Sequence, residues 1–367
     1  MRTIVAKVDR ASIRYSVHVG DNILSLLVKD IAKRHRNRKI AIIIDSAVMQ
    51  NCRDILKPLF SSLEAFVLPI RSGEQSKTRA MKERIENTLL DNGFGRDTLL
   101  IAIGGGVITD LSGYVASTYC RGVPIIHVPT TLLAMADASI GGKTGVNTPH
   151  GKNLIGSLWQ PDGIFEDMRF LKSLSQEEFL SGLAEIAKIA ATCDVSLFRF
   201  LEKNHERILA RDARALEHII STAIALKLGI VAKDESEMGL RQTLNFGHTA
   251  GHAIEKCTKF SLKHGFCVSI GVAIETRISV LEKVLDKGSE ERIRRLLKAL
   301  KLPVSLKGKF SEKEILDAMK LDKKSRHHQP RIVLLKRIGS ILQKKGEYSF
   351  QVDPAIIREG LQAGTHD

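Results

Sequence analysis

The sequence predicts two domains, an α/β domain over residues 1–168 and a helical domain over residues 169–367. Three observations predict this. Apolar strand-like runs alternate with amphipathic stretches in the first part, one of those runs ends in three consecutive glycines, and the later part carries long segments of helical periodicity. A chain of 367 residues with 43% hydrophobic content can bury cores of that size.

In chain order, the opening residues Met1–Val8 read as a first strand rather than a secretory leader, since they lack a long apolar stretch and a small-residue cleavage site. The segments Lys39–Asp45, Glu64–Ile70, Thr98–Gly105 and Val123–Thr130 are rich in Val, Ile and Leu and read as strands of a mostly parallel sheet. Residues 47–60 and 78–92 have helical spacing between them. Beyond about residue 170, helical periodicity covers 175–203, 206–233, 240–258, 265–285, 288–300 and 311–320. Ser175-Gln176-Glu177-Glu178 and Ser311-Glu312-Lys313-Glu314 have capping-box form and mark two of the helix starts. The change of character near 165–170 predicts a tight junction with a cleft between the domains.

Composition narrows the function classes. No run of about 18 consecutive apolar residues suggests a membrane span. The five cysteines are scattered without a C-x-x-C pair, which argues against a disulfide framework or zinc ribbon and fits a cytoplasmic enzyme. The net charge of +15 suits nucleic acid or a small acidic substrate. Aromatics are only 5% and do not alternate with basic residues, so a base-stacking platform is not supported, and the basic run Lys33–Lys39 reads as a solvated loop.

Four constellations carry chemistry. Residues 141–156 set Lys143, Lys152 and Asn153 among glycines, which suits a loop wrapping an anionic, phosphorylated ligand, although such loops are often plain turns. Gly104-Gly105-Gly106-Val107 follows a strand and opens a helix containing Asp110, a place where a dinucleotide pyrophosphate can meet free N–H groups. In the third, His248 and His252 are one helical turn apart and His264 follows a short basic loop, a grouping able to help hold a divalent metal or equally to be surface residues. Glu185 lies among small and apolar neighbours and either completes that site or pairs with Lys188 three residues on. Lys227, Arg241, Asn245 and Asp137 are further candidates for a charged small-molecule pocket.

These motifs, together with Gly73-Glu74-Gln75-Ser76-Lys77-Thr78, Pro129-Thr130-Thr131-Leu132-Leu133, Leu244–Glu255 and Asp322-Lys323-Lys324, closely resemble the 3-dehydroquinate synthase family through nearly the whole chain. The resemblance implies a Rossmann-like nucleotide-binding domain followed by an all-helical metal-binding domain. It implies conversion of 3-deoxy-D-arabino-heptulosonate 7-phosphate to 3-dehydroquinate and phosphate in the shikimate pathway, with NAD reduced and then reoxidised. A divalent metal, zinc or cobalt, and a homodimer are also implied.

Carried over residue by residue, the resemblance assigns the metal to Glu185, His248 and His264, displacing the His248–His252 pair as a ligand set. It assigns NAD to Asp45, Glu74, Lys77, Gly105, Gly106, Val107, Asp110, Thr130, Thr131, Lys152 and Ser173. Substrate contacts fall on Asp137, Lys143, Asn153, Lys188, Lys227, Arg241, Asn245, His252 and one lysine of Lys323-Lys324, with Arg121 resembling an arginine that reaches the phosphate across a dimer. Three residues depart from the family pattern: Thr109 stands where glycine is usual, and Ala136 and Ala138 flank Asp137 where valine and serine are common. None removes a charged contact. The rivals are another sugar-phosphate cyclase making an inosose or valiolone skeleton, a metal-dependent polyol dehydrogenase that releases NADH, and a basic nucleic-acid-binding protein.

Overall fold

The computed structural model describes residues 13–306, 311–320 and 329–365. The strand expected over residues 1–8 and the pair Lys323-Lys324 lie outside the described residues. The first part holds β1 (Ser16–Gly20), α1 (Leu24–Arg34), β2 (Lys39–Asp45), α2 (Ser46–Asn51), α3 (Arg53–Ser62), β3 (Ala65–Ile70), α4 (Arg79–Asp91), β4 (Thr98–Gly104), α5 (Gly106–Thr118) and β5 (Ile125–Pro129). A hairpin, β6 (Lys143–Thr148) with β7 (Gly151–Leu158), and the strand β8 (Gly163–Asp167) complete it.

Six strands form one parallel sheet in the order β1-β8-β5-β4-β2-β3. Continuous apolar runs suit it because both faces are covered. Ile42, Ile44, Leu99, Ile101 and Ile103 enter one core, while Ala41, Ile43, Leu100 and Ala102 enter another against α5. The chain leaves β2 toward β3 on one side and β4 on the other, so the strand order reverses there. Ligands of open α/β sheets bind in the crevice beyond the strand ends at such a reversal. Asp45 and Gly104 end the two strands that flank it.

The later part holds α6 (Phe170–Ser173), α7 (Gln176–Cys193), α8 (Val195–Leu209), α9 (Ala213–Val231), α10 (His248–Cys257), α11 (His264–Leu281), α12 (Lys287–Ala299), α13 (Glu312–Lys320) and α14 (Pro354–Thr365). Two small ladders, β9 (Arg331–Ile332) with β12 (Phe350–Gln351) and β10 (Leu335–Arg337) with β11 (Ser340–Ile341), lie between α13 and α14. The first core continues from the sheet through Leu132 and Met135 into α7, α8 and α9, so the two parts share a base. Helix α11 has the length and mean hydropathy of a membrane span (1.3), but 72% of it is buried inside the fold.

Several helical segments are shorter than their periodicity predicts. The stretch 47–60 breaks at Cys52. The stretch 175–203 breaks at Asp194, whose carboxylate accepts from the Ser196 and Leu197 N–H groups and starts a new helix. Asp212 does the same for α9 by accepting from Ala215. In 240–258 a 3₁₀ turn, Leu240–Asn245, precedes α10. Gly247, in the left-handed region at φ +77°, turns the chain, and the buried Glu275 carboxylate receives the N–H groups of Gly247 and Ala250 at 2.7 and 3.1 Å. The full capping box forms at Ser311, which exchanges bonds with Glu314, while at Ser175 the hydroxyl accepts from the Glu178 N–H and the Glu178 carboxylate turns instead to Lys263.

Residues 141–156 are not a free loop. Most of them form the β6–β7 hairpin, where Gly145 faces Gly156, and a Cβ on Gly156 would stand 1.9 Å from the Thr144 carbonyl oxygen. Those two glycines serve strand contact. The turn before β6 is different: Gly141 and Gly142 have φ +90° and +70°, and a Cβ on Gly141 would lie 2.7 Å from Arg241 Nη2.

Candidate active site

Close helix contacts fix the first cluster. A Cβ on Gly265 would stand 1.9 Å from the Ser181 carbonyl oxygen, and the Gly265 N–H donates to Ser181 Oγ at 3.0 Å, so the start of α11 lies directly on α7. A Cβ on Gly271 would stand 1.9 Å from the Gly247 carbonyl oxygen, which brings α10 equally close to α11. These approaches gather Glu185 from α7, His248 from α10 and His264 from α11, with candidate donor atoms mutually within 4.8 Å.

The Nε2 atoms of His248 and His264 lie 3.4 and 3.3 Å from Glu185 Oε1. Lys188 Nζ lies 2.6 Å from Oε2. Glu185 is fully buried, yet among the described residues neither oxygen receives a bond of hydrogen-bond geometry. Burial alone would raise its pKa, but the Lys188 ammonium and His264 together hold it below the usual range. Burial likewise acts against the charge on His264, but the Glu185 and Glu255 carboxylates outweigh it and raise the imidazole pKa to about 10. A carboxylate and two imidazoles aimed at one point are a donor set suited to zinc or a similar divalent ion. The two readings of Glu185 open at the sequence level therefore coexist, one oxygen meeting Lys188 and the other the histidines.

A second cluster is cationic. Arg241 is buried, and its Nη1 and Nη2 donate to the carbonyls of Glu235 and Gly141 at 2.6 and 2.9 Å. With carbonyls as these partners, the guanidinium keeps its charge. Lys227 Nζ meets Asp137 Oδ1 at 2.6 Å. Burial pushes the Lys227 pKa down against that pairing, while the lysines Lys227 and Lys188 hold Asp137 low despite its own burial. Lys143 pairs with Glu237, which also accepts from Asn245 Nδ2 at 2.6 Å. Glu235 and Glu237 were not among the expected residues. The acidic run Asp234-Glu235-Ser236-Glu237 beside Arg241 was the available signal.

At the strand reversal, Gly105 begins α5 without a side-chain cap, leaving the helix start open to an anion. A Cβ on Gly105 would lie 3.0 Å from Thr131 Cγ2, and one on Gly106 3.2 Å from the Ala138 Cβ. Lys77 Nζ bridges Asp110 at 2.5 Å and Asn153 Oδ1 at 2.6 Å. Asp110 is raised by burial, with Lys77 opposing. Asn147 Nδ2 donates to Glu74 Oε1 at 2.7 Å, and Thr130 Oγ1 is buried without a partner among the described residues. Thr109 fits its helix by donating to the Gly106 carbonyl at 3.2 Å.

The remaining expected residues have partners of their own. Asp45 caps α2 and accepts from Ser72. Ser173 meets the Cys52 sulfur at 3.4 Å, and Arg121 is exposed on the turn before β5. Lys152 reaches the helical part, where its Nζ lies 2.6 Å from Glu255 Oε1. His252 joins Glu255 and His264 in a second group of donors also within 4.8 Å.

Residues 67–181 match the family model for the 3-dehydroquinate synthase N-terminal region, and residues 182–325 match the C-terminal one. The chain is 40% identical over 338 residues to the 3-dehydroquinate synthase of Thermodesulfovibrio yellowstonii, covering 91% of this chain and 94% of that protein. It is 39% identical to the pentafunctional AROM polypeptide of Komagataella phaffii, with 91% of this chain matching only 24% of that much longer protein. Among solved structures, 2-epi-5-epi-valiolone synthase from Streptomyces hygroscopicus with NAD+ and Zn2+ superposes at TM-score 0.85 with 25% identity, covering 97% of this chain and 98% of the other. A 2-deoxy-scyllo-inosose synthase complexed with carbaglucose-6-phosphate, NAD+ and Co2+ shares the fold at TM-score 0.86 with 24% identity, covering 95% and 96%.

Proposed function

From the membership of this chain in the 3-dehydroquinate synthase family, we propose that it converts 3-deoxy-D-arabino-heptulosonate 7-phosphate to 3-dehydroquinate and phosphate, as a shikimate-pathway lyase of aromatic amino acid biosynthesis. The observation that carries this reading is the buried Glu185 carboxylate, without a geometrically sound hydrogen bond among the described residues, facing two imidazole Nε2 atoms. The cationic cluster around Arg241 supports a phosphorylated substrate.

The metal fits the donors present, and Glu185, His248 and His264 would hold it. NAD fits the uncapped start of α5 at the strand reversal, where Gly105, Gly106 and Val107 would face its pyrophosphate, with Lys77, Asp110, Thr130 and Thr131 around them. Bound there, the metal would acidify substrate hydroxyls and NAD would take and return a hydride, leaving no net oxidation. Asp45, Glu74, Lys152 and Ser173 complete the proposed nucleotide contacts.

The chain's own residues bind and orient. Lys143, Arg241, Asn245 and His252 form the phosphate end, Asp137, Lys188 and Lys227 the hydroxyl and carboxylate end, and Asn153 joins them. Substrate anions would displace Glu237 from Lys143 and Asn245. Fixed ammonium and guanidinium groups stabilise negative charge as phosphate departs, without reorganising in water. Holding one substrate conformation makes elimination and ring closure effectively unimolecular. Arg121, exposed on its turn, would act on the partner's substrate in a homodimer. The domain division at 168/169 and a cytoplasmic setting belong to the same reading.

The test supplies the heptulosonate phosphate with catalytic NAD and zinc and follows phosphate, the organic product by NMR, and NADH absorbance. Equal phosphate and dehydroquinate without NADH accumulation is expected. No turnover by folded, metal-loaded protein would overturn the assignment in favour of another sugar-phosphate cyclase, and stoichiometric NADH would favour a dehydrogenase.

A further inference from the structure

The His264 imidazole stands between two carboxylates. Its Nε2 lies 3.3 Å from Glu185 Oε1, and its Nδ1 lies 3.6 Å from Oε2 of Glu255, a buried residue of α10. The other oxygen of Glu255 meets Lys152 Nζ at 2.6 Å. Lys152 comes from β7, and its ammonium also lies 4.7 Å from the centre of the Phe260 ring. A contact chain therefore runs from the glycine-rich hairpin through Glu255 and His264 to Glu185.

An imidazole that binds a metal through Nε2 carries its hydrogen on Nδ1, and an acceptor at Nδ1 fixes both that tautomer and the ring plane. His248 has such a partner, its Nδ1 lying 3.3 Å from the Phe246 carbonyl oxygen. Glu255 is the group placed to do this for His264. A distance of 3.6 Å is about 0.5 Å beyond a sound hydrogen bond.

Resting on the metal reading above, we propose that Glu255 is a positioning residue for the metal site. It accepts the His264 Nδ1–H in the metal-bound protein, and Lys152 holds its carboxylate in place. Lys152 then links the hairpin of the α/β part to the metal, a role separate from any contact with nucleotide. The rival reading is that Glu255 is itself a ligand, with His252 and His264, of a second cation.

The experiment uses the full chain and measures zinc affinity by competition with a chromophoric chelator, together with the visible absorption of the Co2+-loaded protein. Glu255→Ala is expected to weaken zinc roughly 10- to 100-fold, and Glu255→Gln, which keeps an acceptor oxygen, by roughly tenfold or less. Both should shift the Co2+ bands, which a purely structural role would not do. Lys152→Met should weaken zinc less than Glu255→Gln, and the double variant no more than Glu255→Gln alone. Glu185→Ala is the control for the underlying reading, because metal affinity unchanged there would refute the metal assignment itself. If Glu185→Ala loses zinc while folded Glu255→Gln and Glu255→Ala keep wild-type affinity and bands, the positioning role is wrong. Two tight zinc equivalents per chain, one lost in Glu255→Ala, would overturn it in favour of a ligand role.

Discussion

Gly265→Ala tests whether helix contact, rather than the ligands alone, sets the metal geometry. The added Cβ would stand 1.9 Å from the Ser181 carbonyl oxygen, where real Cβ contacts do not fall below 3.0 Å, so α7 and α11 must separate there by about 1.1 Å. The obstacle is backbone, not a side chain that can rotate away. Overpacking of this kind costs about 1–3 kcal/mol. The same shift carries His264, the adjacent residue, away from Glu185 on α7, and a metal site tolerates only about 0.2 Å of ligand displacement. Zinc affinity should fall at least tenfold, measured by chelator competition, and the metal-free protein should unfold more readily in urea. Gly229→Ala is the matched control: nothing lies within 4 Å of its added Cβ, so it should stabilise helix α9 by about 0.4–1 kcal/mol. Wild-type zinc affinity and stability in Gly265→Ala would refute the reasoning.

Three further outcomes are expected. Glu185→Gln leaves the buried Lys188 ammonium without its carboxylate, so the metal-free protein should lose about 3–5 kcal/mol as well as turnover; unchanged urea stability would show that the pair contributes nothing. His127, buried in β5 with Nδ1 unpartnered among the described residues, is held by burial at a pKa of about 4, below the ordinary 6.5. The unfolded chain binds that proton first. Stability from this group is therefore full above about pH 6.5 and falls as pH drops toward 4, by about 3 kcal/mol, and His127→Leu should flatten that part of the urea-midpoint profile. Arg241→Lys cannot reach both the Gly141 and Glu235 carbonyls and should raise KM for the phosphorylated substrate more than it lowers kcat; a pure kcat effect would place Arg241 elsewhere in the reaction.

The sheet was legible because Ile40–Ile44 and Leu99–Ile103 are apolar without alternation, a pattern that a doubly covered parallel strand requires. The helix breaks at Asp194 and Asp212 were harder to read, since each interrupts an otherwise unbroken apolar periodicity by a local side-chain cap. The glycines of 141–156 were legible as special but ambiguous in purpose: an anion cradle and a tight hairpin both require absent side chains. Glu185 was visible as a carboxylate among small residues. Its neighbours His248 and His264 lie 63 and 79 positions onward, and close helix contacts such as those at Gly265 and Gly271 bring them to it. Glu235 and Glu237 carry no role in the sequence reading and Glu255 only closes the Leu244–Glu255 motif, until the fold sets them against a lysine, an arginine's neighbourhood or an imidazole.

The acidic partners of the cleft's cations also bear on the +15 charge. Burying Lys188 and Lys227 uncompensated would cost several kcal/mol apiece, and both are instead matched by Glu185 and Asp137 at 2.6 Å. Arg241 is treated differently: carbonyl oxygens accept from its Nη1 and Nη2 while its charge remains. Lys143, half exposed, is paired with a less exposed loop carboxylate, Glu237. The cleft therefore combines tightly neutralised cations, which hold its shape, with cations whose charge remains available to a ligand. Glu237→Gln separates these classes, because it should strengthen inorganic phosphate binding by no more than about fivefold, the range of an exposed ion pair, without changing metal affinity. Weaker phosphate binding in that variant would mean that Glu237 positions Lys143 and Asn245 rather than competing for them.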